Sequence, residues 1–179
     1  MQMKKLSQSA ERWALRHRWV YRLSAAYYRP IIRREIALAN ITAHDHVLFI
    51  GGGFCPFSAI LLRELTGATI TVIDCDPTCV SAACGFVGKD ISVQRCNGMD
   101  APLLGYTVVH VAMQVSPMQD VFAAARARAA GGTRLLLRVP KKTVSRAYDP
   151  LTNQFLGCTT VAHNQFCSVH HTVLYIKED

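Results

Sequence analysis

The sequence predicts an α/β fold built on a mostly parallel sheet with helices on both faces. Three observations carry this. Short β-rich runs alternate with helical stretches from Val47 onward. Those runs are almost wholly apolar, as strands become when both faces of their sheet are covered. Two final runs follow with no helical pattern between them, which predicts an antiparallel hairpin at or near one edge of the sheet.

The expected strands are Val47–Ile50, Thr69–Ile73, Ile91–Arg95, Thr107–Ala112 and Arg134–Val139, and the hairpin is expected from Phe155–Ala162 and His171–Lys177. Ser58–Thr66, Pro77–Phe86 and Met118–Ala130 read as the helices between strands. Upstream, residues 7–28 read as an amphipathic helix, with Ser7 or Ser9 as cap and Leu6, Trp13, Val20 and Tyr27 recurring every seven residues. Pro30 is expected to break it and to open a second helix running to about Asn40.

A length of 179 residues fits one domain, residues 1–179, with a helical arm over 1–40 and the sheet over 41–179. The chain carries a formal charge of +8, unevenly spread. Residues 1–40 hold nine Lys/Arg against two Asp/Glu, and the remainder eleven against ten. The arm therefore carries the basic character. It is read as a solvated helix face, a surface for homodimerisation or a lid over the site; nucleic acid is not an expected partner.

No apolar run reaches the ~18 residues of a membrane span. The basic start is not followed by the apolar stretch and cleavage site of a signal peptide. Seven cysteines without a Cys-x-x-Cys pair suggest reduced thiols in a cytoplasmic protein. His163, Cys167, His170 and His171 crowd together, but their spacing matches no standard zinc pattern and no metal is expected.

Three segments point to ligand chemistry. Gly51, Gly52 and Gly53 end the first strand ahead of a helix, where bare backbone turns sharply and lets a ligand lie against it. Asp74 ends the second strand, 23 residues after Gly51, where a carboxylate can accept two ribose hydroxyls. Asp76 is better placed than Asp74 to cap the helix opening at Pro77. After the third strand, Gly98, Met99 and Asp100 put an acid within reach of an adenine amino group, or form an ordinary polar turn. A dinucleotide could use the first two features. Against it, the third glycine of a G-x-G-x-x-G pattern is absent, and Pro56 delays the helix whose N-terminus would hold a pyrophosphate.

Taken together these segments resemble the class I S-adenosylmethionine-dependent transferases, whose Rossmann-like methyltransferase fold carries a C-terminal antiparallel hairpin. Within them the chain resembles the nicotianamine synthase-like proteins. The resemblance rests on the loop Gly51–Ser58, on Asp74-Cys75-Asp76-Pro77, and on Val108–Ala112. It rests further on Leu135–Arg138 followed by Arg146, Tyr148 and Pro150, and on Tyr28 seven residues before Glu35. It runs from about Tyr27 to Ile176. Phe54 departs from the family's usual proline, and the chain reads as a short form without the large N-terminal helical domain of the synthases.

The resemblance implies S-adenosyl-L-methionine as cofactor, held by Gly51, Gly52, Gly53, Asp74, Cys75, Gly98, Met99, Asp100 and Ala112. It implies transfer of the 3-amino-3-carboxypropyl group to a small-molecule acceptor, an amino acid or amine, or cyclisation of that group. Tyr28 would contact substrate or carry a proton, and Arg138 and Tyr148 would receive a carboxylate. Two alternatives stay open: a small-molecule methyltransferase, and a non-catalytic binding module that uses its basic arm.

Overall fold

The computed structural model of the chain describes residues 18–142, 158–164 and 166–179, the side chains of 18–21 excepted. Helix α1 (Arg18–Ala39) leads into β1 (His46–Ile50), α2 (Phe57–Thr66), β2 (Thr69–Asp74), α3 (Pro77–Phe86) and β3 (Ile91–Arg95). A 3-10 turn at Gly98–Asp100 follows, then β4 (Val108–Val111), α4 (Met118–Arg128), β5 (Arg134–Pro140), β6 (Thr159–Ala162) and β7 (Val169–Ile176). The strands form one seven-stranded sheet in the order β3-β2-β1-β4-β5-β7-β6. Its first five strands in that order pair in parallel, while β7 runs antiparallel between β5 and β6. This is the fold that the sequence predicts, hairpin included.

The apolar strands work on both faces. Val47, Phe49, Ile70, Val72, Val108 and Leu136 meet Ile32 and Ala39 of α1 and Ala59, Leu61 and Leu62 of α2. Leu48, Ile50, Ile73, Val109, Val111, Leu135 and Leu137 meet Val121, Phe122 and Ala125 of α4 on the other face. Alternate residues of one strand thus enter different cores, which leaves no strand position for solvent in the middle of the sheet.

The expectation about Pro30 is corrected: α1 is one continuous helix with Pro30 inside it. A proline in a helix interior costs about 3 kcal/mol, through the lost N–H and the clash with the preceding turn. The next two residues, Ile31 and Ile32, are fully buried, and burying each contributes roughly 1.5–3 kcal/mol. Packing therefore outweighs the local penalty, and Pro30 itself faces solvent.

The helix ends in a Schellman motif. Asn40 is left-handed at φ 48°, and the Ile41 N–H donates to Ile36 O at 3.0 Å. Arg134 of β5 binds the terminal carbonyls of Ala39 (2.7 Å) and Asn40 (3.0 Å) and pairs with Asp45, fastening the helix end to the sheet. Further back, Tyr27 Oη accepts the Ser168 N–H (2.7 Å) and Arg34 donates to Ala162 O (2.7 Å). From Arg18 on, the arm lies on the sheet and its hairpin. No helix among the described residues is long and apolar enough to cross a membrane.

Candidate active site

Two cavities open at the carboxyl ends of the central strands, where ligands bind in open α/β sheets. The larger measures about 300 Å³. Gly51 and Gly53 after β1, Asp74 and Cys75 at the end of β2, and Asn97 and Gly98 after β3 line it, with Ile50, Ile73, Val115 and Val121 as its apolar wall. The smaller measures about 50 Å³ and lies beneath α1. Tyr28, Phe49 and Phe57 give it aromatic walls, and His110, Arg138 and Ser58 bring polar groups. Gly51 and Gln114 border both cavities.

The glycine loop is held by Asp74. Its Oδ2 accepts the Gly53 N–H (2.8 Å) and its Oδ1 accepts the Asp76 N–H (3.0 Å). Gly51 sits at φ +88° and Gly53 at +63°, the region that glycine enters without penalty. Asp76 caps α3 through the Thr78 N–H (2.8 Å), as its position predicts. Helix α2 starts only at Phe57, with Pro56 at its cap and no side-chain cap bond, so the delay read from the sequence is present.

The other expected contacts divide. Gly51, Gly53, Asp74, Cys75 and Gly98 line the larger cavity, whereas Gly52 and Ala112 line the smaller one. Met99 and Asp100 are exposed and line neither. Asn97 accepts the Met99 N–H, and Arg128 donates to Met99 O and Ala101 O, which fixes that turn with both side chains outward. Tyr28 lines the smaller cavity and stacks on Phe57 at 6.1 Å. Tyr148, with Arg146 and Pro150, lies outside the described residues.

Arg138 differs from its expected role. It is not a surface cation awaiting a carboxylate, because it is 5% exposed and already bound to one. Its Nε and one terminal nitrogen donate to the two oxygens of Glu35 (2.8 and 2.7 Å), and the other terminal nitrogen donates to Ser58 Oγ (2.8 Å). Glu35 is fully buried and takes two further donors, Thr172 Oγ1 (2.7 Å) and His110 Nε2 (3.3 Å). Burial pushes its carboxyl up, but Arg138 and His110 win and hold it well below the usual carboxylate range. Burial lowers the His110 imidazole, against the pull of Glu35, so it is neutral at pH 7. The Glu35–Arg138 pair thus sits inside the domain with no net charge.

Sequence reasoning missed His110, Thr172 and the role of Glu35. The available signal was a polar residue in an otherwise apolar buried segment: His110 in Val108–Val111 and Arg138 after three leucines; Thr172, behind two histidines in β7, gives no such signal. Glu35 shares a helix face with Ile31, Ile32 and Ala39, the face that turns inward.

No known family profile matches the chain. Over 70 residues, 39% of this chain, it is 36% identical to an L-histidine 2-aminobutanoyltransferase of Pseudomonas aeruginosa. That match spans 24% of the relative's length. Among solved structures the chain is similar to a nicotianamine synthase, MtNAS, in a point-mutant form with S-adenosylmethionine: TM-score 0.77, 20% identity, 98% of this chain and 73% of that one. It is similar also to an RNA methyltransferase from Salinibacter ruber with S-adenosyl-L-homocysteine: TM-score 0.61, 17% identity, 84% and 92%. These likenesses establish a Rossmann-like methyltransferase fold.

Proposed function

We propose that the chain is an S-adenosylmethionine-dependent transferase that moves the 3-amino-3-carboxypropyl group to a small amine or amino acid, or cyclises it. One observation carries the reading: a cavity with the furnishing of a nucleoside site meets a small, aromatic-walled cavity at Gly51 and Gln114. The residues fit the cofactor. Asp74 spends one hydrogen bond per oxygen on the backbone, and a carboxylate oxygen has a second lone pair for a ribose hydroxyl. Gly51 and Gly53 offer bare backbone, and Ile73 and Val121 offer an apolar face for a purine.

A sulfonium activates all three attached carbons, and the one that reacts is the one held in line with the nucleophile at roughly 3–3.5 Å. Aminocarboxypropyl transfer is favoured over methyl transfer because the likeness to MtNAS covers 98% of the chain, α1 included. That helix supplies Tyr28 to the smaller cavity and, behind its wall, Glu35 to His110. The name of the curated relative, an aminobutanoyltransferase, agrees in the kind of group moved.

Incubation with carbon-chain-labelled S-adenosylmethionine and a panel of amines should release methylthioadenosine. S-adenosylhomocysteine as product would make the chain a methyltransferase. Neither product, with salt-sensitive retention on nucleic acid, would leave a binding module. Asp74→Ala should weaken cofactor binding by about 1.5–3 kcal/mol, because it removes charge-assisted bonds to the ligand and frees the loop. Calorimetry reads this directly, and an unchanged affinity would mean that another group holds the ribose.

A further inference from the structure

We propose that His110 is the general base of this site, taking the proton of the acceptor amine on Nδ1, with Glu35 as the positioning residue that turns it. The proposal rests on the transferase reading above and assigns its proton transfer.

His110 is wholly buried in β4, stacks on Phe49 (centroids 4.6 Å apart, 29° between planes) and lines the acceptor cavity. Its Nε2 lies 3.3 Å from Glu35 Oε2. An ionised carboxylate only accepts, so Nε2 carries the ring hydrogen and Nδ1 keeps a lone pair. That Nδ1 is buried and, like His163 Nδ1, meets no hydrogen-bond partner from another residue among the described ones; its own backbone is the polar group beside the ring, and of the two nitrogens it is the one whose ring lines the cavity. A buried polar atom left without a partner destabilises the fold, and an apolar ring would fill the same space without that loss. The unsatisfied nitrogen is what a base awaiting its substrate presents.

Glu35 cannot play this part. Each of its oxygens already receives two donors, Oε1 from Arg138 and Thr172, Oε2 from Arg138 and His110. A proton could reach it only by displacing one of them. Thr172 gives its own hydrogen to Glu35, so its oxygen accepts from His163 Nε2 (2.7 Å), and the line of donors runs back into the hairpin. Burial lowers His163 to about 4, which keeps that ring neutral as well. The charged groups facing His110 are therefore Glu35 from α1 and Arg138 from β5, with the Tyr28 ring between α1 and the cavity.

The step balances. The amine lone pair forms the new C–N bond while the C–S bond breaks, and its electron pair stays on sulfur as a neutral thioether. The N–H proton passes to Nδ1, and the imidazolium so formed faces the Glu35 carboxylate before its proton leaves to water. The arrangement is that of a carboxylate fixing the tautomer of a catalytic imidazole.

Two measurements test it. Long-range proton–nitrogen correlation spectra of the full chain with labelled histidine need no turnover. His110 should appear as the neutral Nε2–H form at pH 7, and an Nδ1–H form would overturn the proposal. The second follows label transfer to the amine across pH for wild type and His110→Phe, which keeps a ring against Phe49. Cofactor affinity should stay within about twofold, and kcat at pH 7 should fall ~10²–10⁴-fold. Part of the loss should return above pH 9, where the amine is free in solution. A variant within threefold of wild type, or a loss equal at every pH, would show a packing role and overturn it. A wild-type protein that binds S-adenosylmethionine but releases no methylthioadenosine defeats the transferase reading itself. That outcome is distinct from a failure of His110 alone, in which wild-type turnover persists.

Discussion

Glu35→Ala is expected to lower the unfolding free energy by about 3–5 kcal/mol, the range for removing one partner of a buried ion pair. Most of that loss comes from what is left behind. Arg138 would keep a guanidinium inside the domain with Ser58 Oγ as its one remaining hydrogen-bond acceptor among the described residues and the Tyr28 ring 5.9 Å away, and Thr172 would lose its acceptor. For a chain of this size each kcal/mol lowers Tm by roughly 2–4 °C, so the drop is large enough for any thermal scan. Urea titration at unchanged slope gives the free energy itself, and a loss under 1 kcal/mol would mean that the cluster is not the buried ion pair described. Arg138→Met in the same background should recover part of the loss, since the two sites share one interaction.

The same carboxylate makes stability pH-dependent. Its pKa is lower in the folded chain than in the unfolded one, so the unfolded chain binds the extra proton first as pH falls. The stabilisation is complete above the unfolded carboxylate range near ~4.3 and is lost progressively below it. Glu35→Gln should flatten that acid limb, and a limb of unchanged steepness would place its origin elsewhere.

Gly51→Val should combine two penalties. The backbone stands at φ +88°, where a residue with Cβ is strained by about 1–2 kcal/mol and a β-branched one by more. The added Cβ would lie 2.6 Å from Val115 Cγ2 and 3.3 Å from Ala112 Cβ, adding roughly 1–3 kcal/mol of overpacking. A total of about 2–5 kcal/mol lies within the stability of an ordinary domain, so a folded but weakened protein is expected. Val115 and Gly51 both line the larger cavity, so relief of that clash must come at the expense of ligand space. Cofactor affinity should fall more than about 100-fold, on the proposed reading. Gly105→Ala is the control: φ is also +88°, but nothing lies within 4 Å of the new Cβ, so only the backbone strain should appear. Native affinity in a folded Gly51→Val protein would refute the role given to the loop.

The sheet was legible because its strands announce themselves by composition. Val47–Ile50 and Ile91–Arg95 are short apolar or β-rich runs bounded by turns, and α3 was read from Pro77 to Phe86 as it stands. The glycine loop and Asp74 were legible because their chemistry is local, a few residues around one strand end. The errors share the opposite cause. Pro30 was read by its local penalty, while its neighbours Ile31 and Ile32 were decided by distant packing. Arg138 was read as receiving the carboxylate of a ligand, because nothing near it in the chain reveals that Glu35, 103 positions upstream, takes that place. Met99 and Asp100 were left open between an adenine contact and a polar turn, because Arg128, 29 residues on, sets the direction of that turn.

That long separation has a consequence for how the chain comes into being. Arg138 is made 103 positions after Glu35, and Thr172 137 positions after it. During synthesis the carboxylate meets Arg138 only after the four parallel strands β1 to β4 between them have been made. The N-terminal helix therefore has to wait, charged and hydrated, while the apolar strands that will cover it emerge. Contacts of such span close slowly, since a long loop must be ordered before any of them forms. The interior of this domain is complete only once β7 has paired with β5 and Thr172 has reached Glu35, so the buried cluster closes late in folding.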